Sequence, residues 1–316
     1  MLEKIRQGLR GEKRELPRQM CLLYHAFDPQ PTHAFLNNHI HNVSPTQLHA
    51  QLSGLRKKGY AFVSVDEWLE NTRTRARVCV VTIDDGYRSV IDHALPVFED
   101  LQVHATLYLT TDLIKGNAFW RDQVRYVISH KRQQDFIDFV SLRSEKPVSL
   151  MPEGFYRQTK DPSVCNSRMI REWLREFLGQ VNPQLNLDSD GLYLRAEDLK
   201  DTPWLSYGNH TVHHYVMASL TLEEQLFEVR TAEEDLKRMG VKVSRAFSIP
   251  FGNGGSYDPE TIDLLIESGY QGCLLSAGHN PSAIHSNETG GIIGKNLIFV
   301  NRFMPHDHPE VVHRKA

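Results

Sequence analysis

No run in this 316-residue chain approaches the length of an apolar membrane span. The opening MLEKIRQGLRGEKRELPRQM is charged and lacks the apolar stretch of an export signal, so a cytoplasmic enzyme is the expectation. Neither sign of charge dominates: 36 Lys and Arg stand against 39 Asp and Glu, a formal net −3. That balance offers no polyanion-binding surface and argues against a nucleic-acid partner. The four cysteines, Cys21, Cys79, Cys165 and Cys273, include no CxxC pair, which removes the common thiolate zinc and redox motifs. Three of them sit in apolar runs (MCLLY, RVCVV, GCLL) where buried free thiols are expected. Internal repeats and low-complexity linkers are absent too.

What the chain does have is a succession of short apolar, β-branched runs. These are MCLLYH (20–25), YAFVSV (60–65), VCVVTI (78–83), ATLYLT (105–110), WLSYG (204–208), AFSIPFG (246–252), GCLLSA (272–277) and NLIFVNRF (296–303). Helical patterns with readable ends lie between them. Ser44 reads as an N-cap with Pro45 at N1, Gln47 as its capping-box partner and Gly59 as the stop. Thr221 and Glu224 form a second capping box, and Asp258 caps a third helix that Gly269 closes. Arg88 to Leu101 reads as helical, kinked or divided by Pro96. Strand alternating with helix predicts parallel strands and an α/β fold. Residues 1–18 read as an N-terminal extension, 19–305 as the main body and 306–316 as a tail. Segment 112–203 stands where one crossover belongs and reads as a mostly helical insertion.

Four strand ends carry reactive groups. LLYH ends in His25, VVTIDD in Asp84 and Asp85, LSYGNHTVHH leads through His210 to His214, and FSIPFG closes in a proline–glycine turn. Barrels of parallel strands place their active sites at such C-terminal ends. Neighbouring side chains on a strand point to opposite sides, so the two aspartates have different parts to play. Burying both without a cation is costly. His210 and His214, spaced i, i+4, share a face if their segment is helical. With a carboxylate they match the donors of a Zn²⁺ or similar divalent site that keeps a position for water. Asp85 would then ligate the metal, and Asp84 would stay free as general base. His213 points elsewhere.

At these residues a family resemblance becomes explicit. TIDDGYRS resembles the T-F-D-D-G motif of the polysaccharide deacetylases (carbohydrate esterase family 4), GNHTVHH their H-T-x-x-H motif and FSIPFG their R-x-P-Y-G motif. The likeness extends from about Met20 to Arg302 and implies a distorted (β/α)₇ barrel with the insertion outside its core. It also implies metal-dependent hydrolysis of an N-acetyl or O-acetyl group on a sugar, with Zn²⁺ foremost and Co²⁺, Ni²⁺ or Mn²⁺ as alternatives. Carried over, Asp84 is the base, and Asp85, His210 and His214 are the ligands. The Pro250–Phe251–Gly252 turn, through the Phe251 N–H, serves the oxyanion. Two departures stand out: Ser248 replaces the arginine of the third motif, and no C-terminal L-x-x-H motif is evident. The branch of poly-N-acetylglucosamine deacetylases resolves both. Its Y-H-x-x segment resembles Tyr24-His25, making His25 the candidate acid, and its late strand ending in arginine makes Arg302 the substitute.

Aromatic walls for a sugar are sought in Tyr87 and Trp120, whereas Trp204 reads as core. His306, His308, His39 and His41 read as tail and loop residues. The expected substrate is an acetylated amino sugar. A small non-sugar amide, or a degenerate carbohydrate-binding role, are the alternatives.

Overall fold

The computed structural model describes residues 16–30, 42–144, 147–188, 190–276 and 297–305. His39, His41, His306 and His308, residues 1–15 of the N-terminal extension and the C-terminal tail lie outside the described residues.

Eight strands form one parallel sheet: β1 (Gln19–Tyr24), β2 (Ala61–Val63), β3 (Val78–Ile83), β4 (Ala105–Leu109), β5 (Leu205–Asn209), β6 (Val243–Ser248), β7 (Gly272–Leu275) and β8 (Ile298–Asn301). Seven run in the order β1-β3-β4-β5-β6-β7-β8, and β2 pairs with the first half of β3. Phe303, just past β8, bridges to Leu22: the Leu23 N–H donates to the Phe303 carbonyl (2.9 Å) and the Phe303 N–H to that of Cys21 (3.1 Å). This seam turns the sheet into the expected distorted (β/α)₇ barrel. Strand β3 is buried at every residue, as continuous apolar runs are when helices cover a parallel sheet.

The capping boxes of Ser44 with Gln47 and Thr221 with Glu224 form as read, opening the helices Pro45–Lys57 and Leu222–Arg238. Asp258 caps Pro259–Glu267. A further box, Ser64 with Glu67, opens the helix Val65–Glu70, so GYAFVSVDE is half strand and half helix. Pro96 has no N–H to donate, and the chain meets it with a π-helical turn, Val90–Ala94, directly before Leu95–Leu101.

Between β4 and β5 the described residues form the helices Trp120–Ser129, Gln133–Ser141 and Ser167–Val181, with three shorter ones, Thr111–Ile114, Phe155–Gln158 and the 3₁₀ turn Ala196–Asp198. Their buried side chains, Phe136 and Phe177 among them, belong to the same apolar cluster as Phe247 and Cys273 of the barrel. These helices therefore share a core with the strands. Among the described residues, no helix is long and apolar enough to cross a membrane.

One packing detail is unforgiving. Gly208 of β5 lies opposite Tyr108 of β4, and a Cβ there would sit 2.3 Å from the tyrosine ring. Gly208→Ala should cost about 1–3 kcal/mol of stability in urea unfolding; an unchanged midpoint would show that the β4–β5 pair is more plastic than this packing implies.

Candidate active site

The residues read as chemical gather at one end of the barrel. His25, Asp84, Asp85, His210, His214, Phe251 and Arg302 line one cavity of about 230 Å³. Each follows the C-terminal end of a strand. A larger cavity of about 460 Å³ lies elsewhere, along the helix Ser167–Val181 and around His213, where Arg168 is already paired with Glu172 and Glu224. The smaller cavity holds the reactive groups.

Backbone geometry explains how adjacent aspartates reach the same cavity. Strand β3 ends at Ile83, and Asp85 adopts a left-handed φ of 78°, so strand alternation no longer applies. The Thr110 N–H ties this turn down through the Asp85 carbonyl (2.9 Å). The histidine pair differs similarly from expectation. His210 to His214 is not helical; it is a turn in which Thr211 (φ 68°) and His214 (φ 59°) are left-handed. Asn209 accepts from the Thr211 N–H (2.8 Å), and the Thr211 hydroxyl accepts from the His214 N–H (2.9 Å). The imidazoles end 4.7 Å apart, nearly perpendicular.

Asp85, His210 and His214 could hold a metal ion. The Asp85 Oδ1 lies 3.7 Å from His210 Nε2 and 3.5 Å from His214 Nε2. Donors about 2.1 Å from a tetrahedral cation stand about 3.4 Å from one another, so the spacing fits. That oxygen is buried and accepts no hydrogen bond among the described residues, an orphan that a cation would satisfy. The Ser248 carbonyl accepts from His210 Nδ1 (2.7 Å), which leaves the Nε2 lone pair for a ligand role. Burial lowers the pKa of both imidazoles, keeping them in the neutral, ligating form. Phe119 and Phe251 pack edge-on against His214 at 5.2 and 4.7 Å.

The two carboxylates are driven in opposite directions. Burial, then the charge of Asp84, pushes Asp85 up to about 8, a bias that a bound cation reverses. For Asp84 burial also pushes upward, but Arg302, followed by His210, outweighs it and holds the carboxyl down at about 2. Arg302, only 2 % exposed, grips both Asp84 oxygens at 2.7 Å and donates to Ser248 Oγ at 2.9 Å. The serine standing at the motif-arginine position thus contacts Asp84 itself, at 3.1 and 3.2 Å.

The proline–glycine turn lies just beyond β6. Phe251 is left-handed (φ 65°), and Gly252 (φ 56°) comes so close to β7 that a Cβ would sit 2.4 Å from the Ser276 nitrogen. Tyr87 and Trp120 offer no wall. Each is 1 % exposed: Tyr87 donates to Asp122, and the Trp120 indole donates to the carbonyls of His213 (3.0 Å) and His214 (3.2 Å). Trp120 thereby props the histidine turn from beneath. His213 points away as expected, paired with Glu228 at 2.5 Å. The reading from sequence missed Arg121, Arg125, Tyr156 and Lys160, which line the cavity from between β4 and β5. Only the i, i+4 spacing of Arg121 and Arg125 hinted at a shared face.

The sequence pattern of the family described as Polysaccharide deacetylase matches residues 71–134 and 194–273. No curated protein matches the sequence. Among solved structures, IcaB from Ammonifex degensii aligns at 17 % identity and a TM-score of 0.52, covering 93 % of this chain and 94 % of that one. The deacetylase PplD of Streptococcus pyogenes, solved with acetate, aligns at 17 % identity and 0.52, covering 96 % and 100 %. A polysaccharide deacetylase from Bacillus cereus aligns at 15 % identity and 0.54, covering 93 % and 69 %. At these identities the likeness establishes the shared fold.

One titration reads the cavity's field directly. Burial pushes the Tyr156 phenol up, but Arg125, Arg121 and Lys160 outweigh it and bring it down to about 7. The folded chain therefore favours the phenolate, which adds stability as pH rises from about 7 toward the ordinary value of 10. Ultraviolet titration should show one tyrosine ionising near pH 7, absent in Tyr156→Phe; a wild-type curve with no such step would contradict the arrangement of cations.

Proposed function

We propose that this chain, which matches the polysaccharide deacetylase pattern over residues 71–134 and 194–273, is a member of that family and a divalent-metal-dependent deacetylase of an acetylated amino sugar in a glycan or glycan precursor. One observation carries the reading. Three buried donors, Asp85, His210 and His214, stand at metal-ligand spacing beside Asp84, which Arg302 clamps in its ionised form.

Asp85, His210 and His214 would hold the cation, Zn²⁺ foremost. When bound, it would supply Lewis acidity that polarises the acyl oxygen and raises the acidity of a water. Asp84 takes the proton from the attacking water. Held as low as about 2, this carboxylate accepts only from a water made acidic, so its contribution is fixed position more than basicity. Arg302 and Ser248 keep it from turning. The Phe251 N–H, presented by the Pro250–Phe251–Gly252 turn, donates to the oxyanion. His25, at the end of β1, protonates the leaving amine, and acetate and the free amine depart. A degenerate binding role gives no reason for a free base beside a complete donor set. The 230 Å³ cavity favours one second reading, a small N-acyl compound in place of a glycan.

Acetate release from N-acetylated hexosamine oligomers, with small acetanilide-type amides in parallel, separates these readings. Asp84→Asn should lower the rate about 10²–10⁴-fold with metal content unchanged. His25→Ala should lower it comparably; retention of most hydrolysis would remove the acid from His25. Arg302→Met should cost at least about 10²-fold, because burial would then protonate Asp84. An Arg302→Met enzyme as fast as the wild type would show that the clamp is dispensable.

A further inference from the structure

The cavity wall between β4 and β5 holds more positive charge than amide hydrolysis uses. Arg121 and Arg125 lie one turn apart on the helix Trp120–Ser129, and Lys160 follows the short helix Phe155–Gln158. Arg125 is neutralised by Asp122 at 2.5 Å. Arg121 is not. Buried to 1 % exposure, it donates to the Thr159 hydroxyl and the Tyr156 carbonyl, both at 3.0 Å and both neutral. Its Nε has no hydrogen-bond partner among the described residues. The Lys160 ammonium stands over the rings of Tyr156 (5.4 Å) and Phe251 (5.2 Å), and no described residue forms an ion pair with it.

Arg302 already matches Asp84 and the metal site claims Asp85, so the Tyr156 phenolate, to which Arg125 donates at 3.0 Å, is the one anion among the described lining residues left to Arg121 and Lys160. Two cations against one phenolate leave an excess positive charge in a half-closed cavity, costly unless a ligand brings the balance. Their placement also relates them to the reaction. The Arg121 guanidinium lies 5.4 Å from the Phe251 ring, and the other neighbours of that ring include Lys160 and, at 4.7 Å, the His214 imidazole. One phenyl ring therefore separates the basic wall from the proposed metal ligand.

We propose that Arg121 and Lys160 form a subsite for an anionic group of the substrate, a carboxylate or phosphate carried on the acylated sugar or its immediate neighbour. The substrate class is then an acidic N-acyl amino sugar, an assignment that rests on the deacetylase reading above. Guanidinium and ammonium side by side suit either anion: the first supplies directed donors and the second a point charge. The depressed phenol of Tyr156 reports the same positive field.

The test compares kcat/KM for acetate release from three sugars differing in one substituent: a neutral N-acetylglucosamine oligomer, N-acetylglucosamine 6-phosphate and an N-acetylated aminouronic acid. At least one anionic sugar should be preferred about tenfold or more, and Lys160→Gln and Arg121→Gln should each cut that preference about tenfold. The two anionic arms identify phosphate or carboxylate as the source. Inorganic phosphate, titrated calorimetrically into the chelator-treated 316-residue chain, should bind the wild type and bind Lys160→Gln about tenfold more weakly. Lys160 is half-buried, so that variant serves if Arg121→Gln fails to fold. Equal rates on neutral and charged sugars, equal losses on all three in the variants, or no phosphate binding by the wild type would overturn the subsite. If no acetylated sugar is hydrolysed with any divalent cation, the deacetylase reading fails, and the phosphate titration alone decides whether the wall binds an anion.

Discussion

The buried pair of Asp84 and Arg302 is the interaction on which the site depends. Arg302 follows β8, Asp84 follows β3, and β1 lies between them, so the pair forms only where the barrel closes. The seam at Phe303 and Leu22 places the arginine; its Nε donates to the Leu275 carbonyl at 3.2 Å, and the fork then reaches Asp84. Such a pair is costly to desolvate and weak grounds for stability. Its value here is to keep one of two adjacent carboxylates charged and aimed. Ser248 is small enough to share Asp84 with the arginine, which accounts for a short side chain where the family motif has a longer one.

Around that clamp, the second carboxylate has the opposite character. Asp85 sits in strained backbone, buried beside a like charge, with an orphaned oxygen facing two neutral imidazoles. Four residues of the site region, Asp85, Thr211, His214 and Phe251, have left-handed backbone without being glycine. Strain of this kind persists where surrounding structure over-determines it. The hydrogen bonds of Thr110, Asn209, Thr211 and Trp120 supply that surrounding structure here.

Much of this was legible in the sequence because it is local. Continuous apolar runs marked parallel strands, capping boxes marked helix starts, and strand ends marked His25, Asp84, Asp85 and His210, while Arg302 came only from the family resemblance. What escaped depends on tertiary context. The i, i+4 histidines suggested a helix, yet the Asn209 and Thr211 side chains stabilise a turn that the spacing does not reveal. Tyr87 and Trp120 were sought as sugar walls; the partners that bury them, Asp122 and the His213 and His214 carbonyls, come from distant segments. Arg121 and Lys160 are ordinary charges in sequence and become unusual only when folding leaves them without carboxylates.

The central claim is a divalent cation held by Asp85, His210 and His214. Elemental analysis of purified protein, with Asp85→Ala prepared identically, tests it most directly. The account predicts about one divalent ion per chain in the wild type and loss of that ion in the variant. A wild type that neither contains a divalent ion nor takes one up on reconstitution would contradict it.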